Sequence, residues 1–224
     1  MTPFLNPTYI IAVLIAVSIH EWAHAMVASK LGDPTPEAAG RLTLNPIAHL
    51  DLVGALLFIT VGFGWAKPVP VSSGYFRHPK RDLSLVALAG PFSNLILAII
   101  AFTLLSVLTP GNGLSVDTLL GDASVASPVM TLVLQILRSS LFVNLALMAF
   151  NLFPLAPLDG SNIIQMFVPP AFEDRYQEFA RISPFILLGL VFLGSYLPFD
   201  ILGTWVFSIV GFVLSVMQGV AGVL

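Results

Sequence analysis

Apolar and polar positions along this chain fall in long blocks rather than in short alternation. Residues 9–28 read YIIAVLIAVSIHEWAHAMVA, inside a segment from about Pro7 to Lys30 that is long enough to cross a bilayer. Leu31-Gly32-Asp33-Pro34 stops it, and residues 33–50 are polar and turn-rich. The next apolar run, Leu52 to Trp65, has 14 residues and is broken by Gly54, Gly62 and Gly64, which predicts a re-entrant or interfacial segment. Lys67-Pro68-Val69-Pro70-Val71 follows. Prolines two apart remove the donors from one edge of an extended strand and leave the other edge able to pair. After a basic loop at 72–82, Leu83 to Leu108 forms a clear span, and residues 109–127 form a mildly acidic loop. A third span runs from about Val129 to Phe153 and breaks at Asn151–Gly160, where Pro154 and Pro157 stand. A short apolar piece, Ser161 to Val168, leads into a charged loop holding Glu173, Asp174, Arg175, Glu178 and Arg181. Ile182–Leu197 and Ile201–Leu224, divided by Pro198-Phe199-Asp200, predict a tight helical hairpin. The pattern predicts an all-α polytopic membrane protein. It has about five transmembrane helices and a re-entrant or β-strand segment around 52–71, in a single membrane-embedded domain over 1–224.

Composition agrees. Of 224 residues 57% are apolar and 9% charged, with mean hydropathy +0.93, against about 25% charged in soluble domains. No basic stripe suggests nucleic acid as a partner. The absence of cysteine excludes disulfides and thiolate metal sites, so any metal must use His, Asp or Glu. MTPFLNPT carries no basic region, and the first apolar segment holds the chemistry described below, so no cleavable signal peptide is expected. With 52–65 re-entrant, loops 30–82 and 169–181 share one side and contain Lys30, Arg41, Lys67, Arg77, Lys80, Arg81, Arg175 and Arg181, eight of the nine basic residues. The positive-inside rule then places those loops in the cytoplasm and the N-terminus outside. The membrane expected is the cell membrane.

The heart of the first span carries His20-Glu21-Trp22-Ala23-His24. Ionisable groups are costly at membrane depth and mark a functional site by default. The H-E-x-x-H spacing puts both histidines on one helical face, where they can hold zinc with Glu21 beside it as general base. The site lies about 10–15 Å below the cytoplasmic face, at 1.5 Å per residue. Catalytic zinc usually takes three protein ligands. Glu37, Glu173, Asp174 and Glu178 fall in solvated loops and His78 in the basic loop, whereas Asp159 stands at a membrane edge in the proline-broken segment. Asp159 is a candidate ligand and also suits the N-cap of the short helix that follows. The first and third spans run in the same direction, so Asp159 can approach the histidines. Asn151 is a candidate donor to a developing oxyanion, or an interhelical hydrogen bond. Asn94 is as readily a substrate contact as a packing residue. Gly90, Ser93 and Trp22 suit packing, and His49 and Asp51 suit loop capping better than a pair behind the metal.

His20-Glu21-x-x-His24 in a first span, joined with Asn151-x-x-Pro154-x-x-Pro157-Leu158-Asp159-Gly160, resembles the site-2 protease family of intramembrane zinc metalloproteases. Gly90-Pro91-x-x-Asn94 and Gly62-Phe63-Gly64 with Pro68-Val69-Pro70 resemble it too, and the likeness covers about residues 8–165, the family's catalytic core. The resemblance implies one zinc ion per chain on His20, His24 and Asp159, with Glu21 activating water and Asn151 assisting. It implies that the re-entrant segment, with Gly62, Gly64 and Val69, presents the substrate as a strand, with Asn94 nearby. Substrates would be single-span membrane proteins, cut in or near the bilayer. The chain resembles the minimal members, so regulation by a PDZ or CBS domain is not expected within it. A membrane metal transporter using the same ligands is the alternative, but the outer halves of the spans offer almost no polar residues for a path. A prenyl-protein type of membrane protease fits less well with the Asn151–Gly160 motif.

Overall fold

Proline sets where the long helices begin. The computed structural model describes residues 6–109, 127–196 and 200–221, so most of the expected 109–127 loop and the Pro198-Phe199 turn lie outside the described residues. Helices α1 (Pro7–Lys30), α2 (Thr35–Ala38), α3 (Pro46–His49), α4 (Leu52–Val61), α5 (Pro79–Leu108), α6 (Pro128–Asn151), α7 (Asp159–Gln165), α8 (Glu173–Leu193) and α9 (Ile201–Ala221) follow in order. Pro7, Pro79 and Pro128 each occupy a first helical position, where the missing N–H costs nothing and the fixed φ suits the helix. Asn6 adds a cap to α1, its Oδ1 accepting from Thr8 N at 3.0 Å. Among the described residues, five helices are long and apolar enough to cross a membrane: α1, α5, α6, α8 with the 3-10 turn before it, and α9.

Small residues decide how these helices meet. Ala12, Ala16, Ala23, Ala25 and Ala28 of α1 and Ala87, Gly90, Ala98 and Ala101 of α5 are buried. In lipid there is no hydrophobic drive between helices, so close backbone approach and interhelical hydrogen bonds hold them together. The α1–α5–α6 trio forms the most extensive contacts. His24 meets Val86 and His20 meets Asn94, so α1 and α5 are antiparallel. Thr8 lies against Ser139, and Ala12 and Ala16 pack with Val143, so α1 and α6 run parallel, as the expected topology requires.

Three elements differ in detail from the sequence reading. The charged stretch 173–181 is the first turns of α8 rather than a loop. Glu173 and Asp174 stand where the helix dipole favours acids, and Glu173 is held by Lys80 and by Gln165 Nε2 at 3.0 Å. Secondly, α9 leans on α6 far more than on α8. Its Val210 and Leu214 join Leu134, Leu141 and Leu145, and Trp205 Nε1 donates to Ala149 O at 2.8 Å. The two last helices meet around Leu187 and Leu202, and α9 rests mainly on α6.

Thirdly, the 52–71 segment is a short helix with almost no strand. Asp51 caps α4 by accepting from Gly54 N at 2.9 Å, and Gly62, at φ +77°, ends it. Ten residues rise about 15 Å, half a bilayer, so α4 does not span. A Cβ on Gly54 or Gly64 would strike the backbone of the other arm, so the two glycines let the returning chain lie on the first turn of α4. The expected strand is reduced to one antiparallel bridge, Leu50 to Ala66, with Lys67 N donating to His49 O at 2.8 Å. Arg41 reinforces it from the side, donating to the carbonyls of Ala48 and Lys67.

Candidate metal centre

One helical turn separates His20 from His24, and the trio packing buries both, to 5% and 8% exposure. Their Nε2 atoms lie 3.0 Å apart. His24 Nδ1 is 2.7 Å from Val86 O, a carbonyl that only accepts, so Nδ1 carries the hydrogen. His20 Nδ1 is 2.6 Å from Asn94 Oδ1. The Asn94 amide is oriented by its Nδ2, which donates to Asn144 Oδ1 at 2.9 Å and Ala16 O at 3.3 Å, so His20 also carries its hydrogen on Nδ1. Both Nε2 atoms therefore turn lone pairs toward the same point.

Asp159 completes the arrangement. It is the first residue of α7, and its side chain caps nothing; Leu158 holds the N-cap position without a side-chain bond. Asp159 Oδ2 lies 3.3 Å from His20 Nε2 and 3.4 Å from His24 Nε2, buried and with no hydrogen-bond partner. Ser161 Oγ donates to Leu158 O at 2.7 Å, and Ser84 Oγ to Asn162 O at 2.8 Å, which fastens α7 to α5.

Three acceptor atoms, two imidazole nitrogens and a carboxylate oxygen, lie within 4.8 Å of one another, close enough to share one metal ion. A Cβ on Gly90 would fall against His24 Nε2 and the Cε1–Nε2 side of His20, so the glycine keeps the space beside both nitrogens open. Two imidazoles and a carboxylate, each imidazole donating its other N–H to an oxygen, are the donor set of a three-ligand catalytic zinc site. The residues present fit zinc.

Glu21 is half-buried, and its Oε2 accepts from Val69 N at 3.2 Å. The proline spacing leaves Lys67, Val69 and Val71 as donors on one edge of the 67–71 stretch, and the first two are in use, by His49 O and by Glu21. At Lys67 and Val69 the edge expected to lie open to a substrate is engaged by the chain itself.

The remaining expected residues lie as follows. Asn94 is fully buried behind His20, both ends of its amide spent on His20, Asn144 and Ala16. Asn151 is half-buried at the end of α6, its Nδ2 donating to Leu147 O at 3.0 Å inside its own helix. Gly62 ends α4 and Gly64 rests on Gly54, while Phe63 between them meets the rings of Phe150 and Phe192. Asp51 and Asn45 are caps; His49 is fully buried with Nε2 on Thr43 O at 2.8 Å. Ser93 Oγ returns to Gly90 O at 2.7 Å. Sequence reading missed Asn144, although a polar residue deep in an apolar span is itself a signal. It also took Gly90 for simple packing. The Val86 carbonyl leaves no trace in side-chain identity.

Comparison with known proteins agrees with this chemistry. The profile of peptidase family M50 matches residues 8–193. A Bacillus subtilis (strain 168) protein named "Putative zinc metalloprotease YwhC" is 40% identical over 201 residues, 88% of this chain and 87% of that protein. Rip2 of Mycobacterium tuberculosis (strain ATCC 25618 / H37Rv), which bears the same zinc metalloprotease designation, is 28% identical over 204 residues, 88% of this chain and 69% of its own. No solved structure matches the chain. The profile spans most of the chain, and the chain belongs to peptidase family M50, the site-2 protease family.

Proposed function

We propose that this multi-pass intramembrane zinc metalloprotease cuts peptide bonds in or near the transmembrane segments of single-span proteins. His20, His24 and Asp159 would hold the metal and Glu21 would act as base. The observation that carries the assignment is the convergence of three buried lone-pair atoms on one point, with Glu21 next in sequence to His20. Membership of a peptidase family does not favour the metal-transport alternative. The whole chain is one membrane domain, with the catalytic core at about 8–165 and the last two helices supporting it.

When bound, the zinc ion supplies a Lewis acid that polarises the scissile carbonyl and lowers the pKa of the attacking water. Asn94 and the Val86 carbonyl keep the two imidazoles facing that position. A substrate helix hides its carbonyls in its own hydrogen bonds and must be drawn out before it can be cut. A substrate segment adding along residues 67–71 takes the Val69 amide from Glu21, as main-chain pairing at an edge does. Docking and release of the base are then one event. The freed carboxylate takes a proton from water and returns it to the leaving amine. Asn151 assists by turning its amide from Leu147 O toward the substrate carbonyl. The site faces the cytoplasmic side, and the N-terminus lies outside.

The decisive experiment uses purified protein in detergent with single-span substrates. Wild type cleaves, a chelator stops cleavage, added zinc restores it, and Glu21→Gln is inactive while still binding zinc. Equal cleavage by Glu21→Gln would remove Glu21 from the chemistry.

A further inference from the structure

We infer that Asn144, in the middle of α6, is a positioning residue for the metal centre, acting on His20 through Asn94; the inference rests on the zinc site proposed above. Asn144 touches neither histidine. It is fully buried in a span where an amide has no water to turn to, and every bond it makes points one way. Its Nδ2 donates to Ser140 O at 2.8 Å and lies 3.2 Å from Ser140 Oγ, so its Oδ1 must face α5. There it accepts from Asn94 Nδ2 at 2.9 Å, which turns Asn94 Oδ1 toward His20 Nδ1 at 2.6 Å. A backbone carbonyl of α6 thus sets, through two amides, which nitrogen of a histidine on α1 carries the hydrogen.

The direction matters because an asparagine amide is nearly symmetric in shape. Turned by half a rotation, Asn94 would present Nδ2 to His20 Nδ1, and the hydrogen would move to Nε2, the atom needed for the metal. Without Asn144, only the 3.3 Å bond to Ala16 O opposes that rotation. His24 needs no such device, since its Nδ1 meets a backbone carbonyl that cannot turn. The relay also spans all three helices of the core, α1, α5 and α6, so their packing and the ligand's state are set together.

Partners one step removed from a metal typically change affinity about 10- to 100-fold. Four full-length proteins in detergent test the relay by zinc competition against a chelating indicator: wild type, Asn144→Ala, Asn94→Asp, and Asn94→Asp with Asn144→Ala. A carboxylate at 94 accepts from His20 in either rotation, so although its second oxygen leaves Asn144 Oδ1 and Ala16 O without their donor, its direction toward His20 does not depend on Asn144. Asn144→Ala alone should bind zinc about tenfold more weakly. Asn94→Asp should bind it well, and the double variant should match Asn94→Asp within about twofold. Cobalt substituted for zinc supplies a second readout: the visible bands of Asn144→Ala should differ from wild type, and those of the double variant should coincide with Asn94→Asp. Unchanged zinc binding by Asn144→Ala overturns the relay. So does an equal loss in both backgrounds, which marks a purely structural role. If wild type itself binds no zinc one-to-one, the metal centre fails rather than the relay.

Discussion

Gly90 shows how much one residue can decide. In an apolar span it looks like any small packing residue, yet a methyl group there would fall against the Nε2 atoms of both His20 and His24. Overpacking typically costs about 1–3 kcal/mol, so Gly90→Ala should weaken zinc binding roughly tenfold to a hundredfold, measured by chelator competition. Gly189→Ala, where nothing lies within 4 Å of the added carbon, is the matched control and should bind as wild type. Equal affinity in both variants would show that the metal does not sit beneath Gly90. The residues with charge were legible: His20, Glu21 and His24 announce themselves by their cost in an apolar run. The residues that orient them were not. Asn94 was noticed without its role, Asn144 passed unnoticed, and the Val86 carbonyl has no side-chain signature, because hydrogen-bond direction is a property of the packed trio.

At the scale of elements, the stretch from α4 to Val71 carries the substrate question. Its short length, its glycines and its prolines were all readable, and they account for a helix of half a bilayer and a return on two glycines. What they did not reveal is that Lys67 and Val69 already donate to His49 and Glu21. A strand edge is open or closed according to what the fold brings beside it. If the Val69 amide passes from Glu21 to the substrate, Val69→Pro removes a donor that the free protein spends on Glu21 and the bound complex spends on the substrate. The two losses partly offset, and one net bond of about 1 kcal/mol is the ceiling, so kcat/KM should fall by less than about fivefold, with zinc content unchanged. A fall in zinc content instead would mean that Val69 supports the site and not the substrate.

For the whole molecule, five apolar helices and the trio at their centre place one face of α1 against α5 and α6. Leu187 of α8 and Leu202 of α9 pack with Leu155 and Leu158, so the last two helices steady the segment that delivers Asp159. Orientation is open to direct measurement because the chain has no cysteine. In intact cells an impermeant thiol reagent should label Ser115→Cys and spare Arg77→Cys, and both should react once the membrane is opened. The reverse pattern would invert the proposed topology. The amino-acid sequence by itself determined the membrane class, the approximate spans, and the candidate pair His20 and His24 on one helical face. Those depend on local composition and on spacings of 3.6 residues per turn, which a linear chain already contains. Only the tertiary structure decided that Asp159 turns away from capping toward the histidines, that two amides set one ligand's hydrogen, and that Glu21 holds the expected substrate edge. Each of these depends on which atoms of distant segments come within hydrogen-bonding reach, and small-residue packing of α1, α5 and α6 sets that distance.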